Sequence, residues 1–383
     1  MQSPDRIFTT HVGSLPRPKD LLDLMKEKLA CRSYDGAAYD QRVKSAVAEC
    51  VQKQVEAGID FVSDGEQSKP GFFTYVRERL EGFEARRVQK RQMFAAEVAA
   101  FPEYYEKYFR EAMMGGAIAP VVPLVCTGPV NYCGEAALER DIANLKAAAA
   151  ASHAHGAFVP AVAPSGVGAN EYYRNEEEFF HSVGRALRTE YKMIVDAGLQ
   201  LQVDDPFLCD IFADPALDAA QRKKRAAMYV EAVNEALRGI PQEKVRYHTC
   251  YGINEGPRIH EAALSDVVEY MLKVNAGAYS FEAANPRHEH EYHLWESVKL
   301  PAGKVLMPGV ITHASNIVEH PALIAERIVR FAKLVGRENV VASADCGFSS
   351  QASYSTEVHP TVVWAKFEAM REGAELATKQ LWS

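Results

Sequence analysis

Apolar residues along this chain alternate between two periods. Short β-branched and aromatic runs lie at 7–10, 61–63, 119–126, 158–163, 199–203, 245–248, 278–281, 305–311 and 340–344. Such runs suit strands buried on both faces. Between them lie longer stretches with helical spacing. In 42–57 the apolar positions are Val43, Ala46, Val47, Val51 and Val55, and 176–197 and 321–335 read the same way. Gly58, Gly198 and Gly336 follow these stretches, as expected of glycine at a helix C-terminus. Repeated strand–helix alternation implies parallel strands joined by crossover helices. The predicted fold is α/β, a single (β/α)8 TIM barrel spanning 1–383. Nine candidate strands stand against the eight a barrel needs, so one lies off the barrel. Residues 82–116, rich in Glu, Arg, Phe, Tyr and Met, show no good strand and predict a helical insertion or lid between the second and third strands.

Composition narrows this picture. A barrel takes about 250 residues, leaving about 130 for additions, and no Pro/Gly/Ser-rich linker marks a second domain. The net charge is −8, from 43 Lys+Arg against 51 Asp+Glu, which disfavours a nucleic-acid binder. The basic runs Arg86, Arg87, Lys90, Arg91 and Arg222 to Arg225 read as solvated helix faces. No apolar stretch is long enough for a transmembrane helix, and Met1 to Arg6 has no basic-then-apolar signal pattern. Seven cysteines, an odd number without a C-x-x-C, predict a cytoplasmic protein without a disulfide framework. Cys31, Cys50, Cys126, Cys133 and Cys209 lack spaced partners and read as inert.

Barrel chemistry sits where strands end. Here nearly every strand ends on a reactive group: Ser14, Asp64 and Glu66, Ser165, Asp204 and Asp205, His248 and Cys250, Glu282, His313, and Asp345 and Cys346. Alternate residues of an extended segment share a face, so the imidazole and thiol of His248-x-Cys250 converge. Taken alone, that pair also fits a buried histidine beside a small apolar cysteine. Cys346 and Glu282, at the ends of other strands, complete a set of two thiolates, an imidazole and a carboxylate, which prefers zinc. The His288-Glu289-His290-Glu291-Tyr292-His293 cluster suits a solvated or oligomer-contacting helix start better than a second metal site.

Zinc with two thiolate ligands generates hydroxide poorly but binds a further thiol well, and coordination deprotonates that thiol. The expected chemistry is S-alkylation, with Glu282 as the ligand that yields to the substrate. Asp64, Glu66, Asp204 and Asp205 offer charge to a substrate ammonium, or cap the helices that follow. The Val12-Gly13-Ser14 turn could offer N–H groups to a carboxylate. His313 is either a general acid toward the leaving group or a satisfied histidine at a helix start.

The ordered motifs 9–18 (Thr-Thr-His-Val-Gly-Ser-Leu-Pro-Arg-Pro), Asp64-Gly65-Glu66, Leu201-Gln202-Val203-Asp204-Asp205-Pro206, His248-x-Cys250, Phe281-Glu282, Pro308-Gly309-Val310 with His313, and Asp345-Cys346-Gly347 resemble the C-terminal catalytic barrel of cobalamin-independent methionine synthase. The resemblance runs through essentially the whole chain. It implies that His248, Cys250, Glu282 and Cys346 ligate zinc. It implies that Val12, Gly13 and Ser14 hold an amino-acid carboxylate, that Glu66 and Asp204 hold its ammonium, and that His313 assists methyl transfer. The implied substrates are homocysteine and a 5-methyltetrahydrofolate. Three departures stand out. The family's N-terminal barrel is not found here, 166–173 holds no tryptophan to stack on folate, and 82–116 is inserted. Short relatives of this kind resemble core methionine synthases, which take methyl from a corrinoid protein. Others resemble epoxyalkane:coenzyme M transferase, in which Arg17 or Arg287 would meet a sulfonate. A zinc-assisted lyase or hydrolase on the same barrel is the third reading. The metal-free uroporphyrinogen decarboxylase of this superfamily is disfavoured by His248, Cys250 and Cys346.

Overall fold

The computed structural model describes residues 1–30, 34–86, 94–113, 116–119, 121–252 and 255–383. Eight parallel strands form the main sheet: β1 (Phe8–Thr9), β2 (Phe61–Val62), β5 (Gly156–Val162), β7 (Gln200–Asp204), β8 (Val245–His248), β9 (Ala278–Phe281), β10 (Val305–Ile311) and β11 (Val341–Ala344). Their order is β1-β11-β10-β9-β8-β7-β5-β2, and a parallel bridge between Thr10 and Phe61 joins the two end strands. The sheet therefore closes on itself as a (β/α)8 barrel, which leaves no exposed edge.

The ninth candidate is the strand outside the barrel. The run at 119–126 starts later than predicted, as β4 (Leu124–Tyr132), and belongs to a separate three-stranded sheet. Its partners are β3 (Leu80–Ala85), which is antiparallel, and β6 (Ala169–Asn170). The insertion is thus not wholly helical. Its first residues, 82–85, belong to β3, where Gly82 with φ +91° lets the backbone pack against Pro129. Helices Ala95–Ala100 and Pro102–Tyr108 follow, while 87–93 and 114–115 lie outside the described residues, as does Cys31. The insertion does fall between the second and third barrel strands, β2 and β5.

The interior of the barrel is layered. Phe8, Phe61, Phe158, Ala278, Val305, Met307 and Val341 come from the early residues of six strands yet form one cluster, so they plug the N-terminal end. Above them the guanidinium of Arg246 lies 3.6 Å from the Phe158 ring centroid and donates to Thr10 Oγ1 (3.0 Å) and the His11 carbonyl (2.8 Å). A buried charge is tolerable only with such partners. A much larger apolar core lies between the strands and the outer helices. The predicted helices form as Gly36–Glu56, Glu176–Asp196 and Pro321–Val335. Asp35 and Asn175 cap the first two through hydrogen bonds to Ala38 N and Glu178 N. No described helix is long and apolar enough to cross a membrane.

Candidate metal centre

Strand register sets the floor of the site. Asp204, His248 and Ser280 are neighbours across β7, β8 and β9, at the C-terminal ends of those strands. Just past these ends the backbone is held by Asp205 N to His248 O (2.8 Å) and Thr249 N to Ser280 O (3.1 Å). The loops thus begin from fixed positions.

His248, Cys250 and Cys346 meet here. Their ligand atoms all lie within 4.8 Å of one another, and the two sulfurs are 3.4 Å apart. All three residues are buried. Ser280 Oγ holds His248 Nδ1 at 3.0 Å, while Nε2 is buried without a partner. Burial, with help from His313 and Arg246, pushes the His248 pKa down to about 3, so the ring is neutral. A neutral imidazole with one nitrogen anchored and the other unsatisfied beside two thiols is the donor set a thiophilic ion requires. The Cys250 thiol is held well above its ordinary pKa by the hydrogen bond with the Cys346 thiol and by burial.

Glu282 lies beside this trio, close enough for its charge to act on the Cys250 thiol. It groups with His313 and Asp345, whose ligand atoms also lie within 4.8 Å of one another. Its carboxylate accepts from Arg258 Nη2 (2.6 Å), Asn285 Nδ2 (2.9 Å) and Tyr251 N (3.1 Å). Asp345 accepts from Ala283 N (2.7 Å), Ala284 N (2.8 Å) and Asn285 Nδ2 (3.2 Å), so it orders the turn after β9. His313 is buried with neither ring nitrogen in a normal hydrogen bond, and burial lowers its pKa to about 4.

The other expected residues divide. Glu66 sits in a left-handed turn (φ +55°), its buried Oε2 unpartnered and 4.0 Å from Arg17. Asp204 accepts from Gln202 Nε2 at 2.8 Å. Burial raises both carboxyls, and the charge of Glu66 raises Asp204 further. Asp64 and Asp205 are committed to structure. Asp64 accepts from Glu66 N (2.9 Å), while Asp205 accepts from Ser165 Oγ (2.9 Å), Tyr247 OH (2.9 Å) and Leu208 N (3.2 Å). In the Val12-Gly13-Ser14 turn, Gly13 N donates to His11 Nδ1 (3.1 Å), which removes that N–H from ligand binding. Arg287 donates to the Arg258 carbonyl, and Arg17 to the Ser349 and Lys69 carbonyls. His288 is buried between Glu261 (2.9 Å) and Glu291 (2.8 Å), whereas His290 and His293 are exposed on the short helix Glu289–Glu296, so the cluster joins one internal histidine to a solvated helix start.

Two buried cations were not apparent in the sequence. Lys69 Nζ donates to the Pro160 carbonyl at 2.5 Å, 4.2 Å from the Tyr75 ring centroid, and its charge favours ionised Glu66 and Asp204. Arg258 is the other. Neither has a motif, since Lys69 reaches Pro160 and Asp204 and Arg258 reaches Glu282, all distant in sequence.

Gly13 supplies a test of the turn. Its φ is +134°, and an added Cβ would lie 2.5 Å from Pro160 Cγ. Gly13→Ala is expected to destabilise the protein by about 1–3 kcal/mol, measured by urea denaturation. An unchanged midpoint would show that the turn accommodates a side chain.

The profile described as "Cobalamin-independent synthase, Catalytic domain" matches residues 7–155 and 161–371. A methionine synthase of Saccharolobus solfataricus is 24% identical over 384 residues, covering 97% of this chain and 95% of that protein. A B12-independent methionine synthase from Shewanella sp. W3-18-1, solved with selenomethionine, superposes with a TM-score of 0.72 at 20% identity, covering 98% of this chain and 99% of that one. A putative vitamin-B12 independent methionine synthase from Listeria monocytogenes gives 0.68 at 20% identity, with the same coverage. The match over nearly the full length, with the closed barrel and the thiol-rich centre at its strand ends, places this chain in the catalytic-domain family of the cobalamin-independent synthases.

Proposed function

We propose that this protein is a zinc-dependent methyltransferase that methylates the sulfur of homocysteine to give methionine. The observation that carries this reading is the buried pair of thiols beside the unpartnered Nε2 of His248. Zinc would be held by His248, Cys250 and Cys346, with Glu282 as the fourth and weakest ligand. When bound there, the ion supplies the acidity that makes a substrate thiol a thiolate at neutral pH.

The residues of the chain do the rest. Glu66 and Asp204, whose ionised forms Lys69 favours against the effect of burial, receive the substrate ammonium, and the turn at Val12, Gly13 and Ser14 lies against its carboxylate. The deeply buried floor excludes water from the reacting sulfur. In the transfer a new S–CH3 bond forms as the methyl bond of the donor breaks, and the bonding pair stays with the donor. The thiol proton leaves, and the departing atom, if it is a nitrogen, takes one up. His313, buried and neutral, would carry that proton.

The donor is a small methylated cofactor, either a methyltetrahydrofolate or the methylcorrinoid of a partner protein. The setting is cytoplasmic, consistent with free thiols at every described cysteine. Zinc-loaded protein should be offered homocysteine or coenzyme M, each with methyltetrahydrofolate, methylcobalamin or epoxypropane, and alkylated thiol measured. Methionine from homocysteine with either methyl donor is the expected product. Reaction of coenzyme M with the epoxide alone would overturn the proposal.

A further inference from the structure

Arg258 belongs to the loop after the metal-binding pair, yet it is almost wholly buried and its backbone is left-handed (φ +60°). No tight requirement of a simple turn explains a bulky residue in that conformation. Its side chain supplies the reason. Nε donates to both oxygens of Glu261 (2.8 and 2.9 Å), and Nη2 donates to Glu282 Oε2 at 2.6 Å. Nη1 is buried without a partner. The loop is pinned from three sides. The Arg258 carbonyl accepts from Arg287 Nε (2.9 Å), Glu261 accepts from His288 (2.9 Å), and His260 N donates to the insertion's buried Glu97 (2.6 Å).

The consequence falls on Glu282. Its carboxylate points to the guanidinium and groups with His313 and Asp345, not with the two thiols. A carboxylate held in a buried charge-assisted bond is a poor competitor for an ion. Building on the metal reading above, we propose that Arg258 is a positioning residue that restrains Glu282, so that the His248–Cys250–Cys346 centre keeps a coordination position for an incoming thiol. The insertion, by holding this loop through Glu97, takes part in the same restraint.

The test uses cobalt(II) in place of zinc in the full chain, with metal affinity read by chelator competition and ligation by the visible spectrum. Arg258→Met removes the charge-assisted bond and leaves the carboxylate only the neutral donors Asn285 and Tyr251, while His288 still neutralises Glu261. It should bind cobalt roughly tenfold tighter, within the range by which groups behind a ligand tune metal affinity. It should also need roughly tenfold more homocysteine to reach the wild-type spectral change. Both effects should vanish in the Glu282→Gln background, and Arg258→Lys should fall between wild type and Arg258→Met. Should Arg258→Met fail to fold, the shift in Arg258→Lys and its loss beside Glu282→Gln decide alone. Unchanged or weaker cobalt binding in the Arg258 variants, with an unchanged homocysteine titration, would overturn the proposal while leaving the metal reading intact. Wild-type protein that holds no cobalt would overturn both.

Discussion

Cys250→Ser is expected to lose the bound metal and with it methyl transfer, by roughly three orders of magnitude or more, equal to about 4 kcal/mol of barrier. A hydroxyl is a harder and far weaker donor than a thiolate, so the substitution removes one of the two soft ligands. The remaining imidazole and single thiol cannot fix the ion against solvent. The fold should survive, because Cys250 lies in a loop already anchored by Thr249 N to the Ser280 carbonyl and Thr249 Oγ1 to the Asp205 carbonyl. Cys209→Ser is the control. That cysteine is also buried and contacts Thr249 Oγ1 at 3.3 Å, but it belongs to neither group of candidate ligands. It should keep stoichiometric zinc and activity. Metal analysis and the homocysteine assay read both variants. Wild-type metal content and turnover in Cys250→Ser would refute the assigned centre.

The sequence signals that worked were periodic or terminal. Parallel barrel strands are buried on both faces, so their β-branched runs stood out even where the strand proper is as short as Phe8–Thr9 or Phe61–Val62. The loops follow directly from those ends, so the polar residues there are legible in the sequence as one site. The run at 119–126 misled for a physical reason: β4 is also apolar, but it buries one face against the helices outside the barrel. The segment Leu80–Ala85 escaped because its glutamates and glycine dilute the alternation of a half-exposed strand. Glu282 came from strand-end position, which gives proximity but not the direction of a side chain. That direction is set by Arg258, 24 residues earlier and in a loop with no period.

The second large effect concerns stability. Arg79→Met should destabilise the protein by about 3–5 kcal/mol, the usual cost of stranding buried charges. Arg79 is buried, with Nη2 2.6 Å from Asp141 and Nη1 3.7 Å from Glu190, and both acids are buried too. Burial works against the guanidinium charge, but Asp141 and Glu190 outweigh it and hold its pKa well above the ordinary range. Glu190 also accepts from Tyr75 OH (2.6 Å) and Tyr132 OH (2.8 Å). The cluster therefore ties the segment just before β3, and β4, to the helices Glu135–Ala151 and Glu176–Asp196. Methionine would fill the space of the aliphatic stem but leave two carboxylates unpaired. The triple variant Arg79→Met, Asp141→Asn, Glu190→Gln removes every charge, keeps a carbonyl acceptor for one tyrosine and offers the new amide N–H to the hydroxyl oxygen of the other. It should recover more than half of the loss, since a neutral buried set avoids most of the desolvation penalty. Urea denaturation compares the three proteins. A single-variant loss below about 1 kcal/mol, the level of an exposed ion pair, would show that the acids reach water when Arg79 is removed. A triple variant no better than the single would place the cost in packing, not charge.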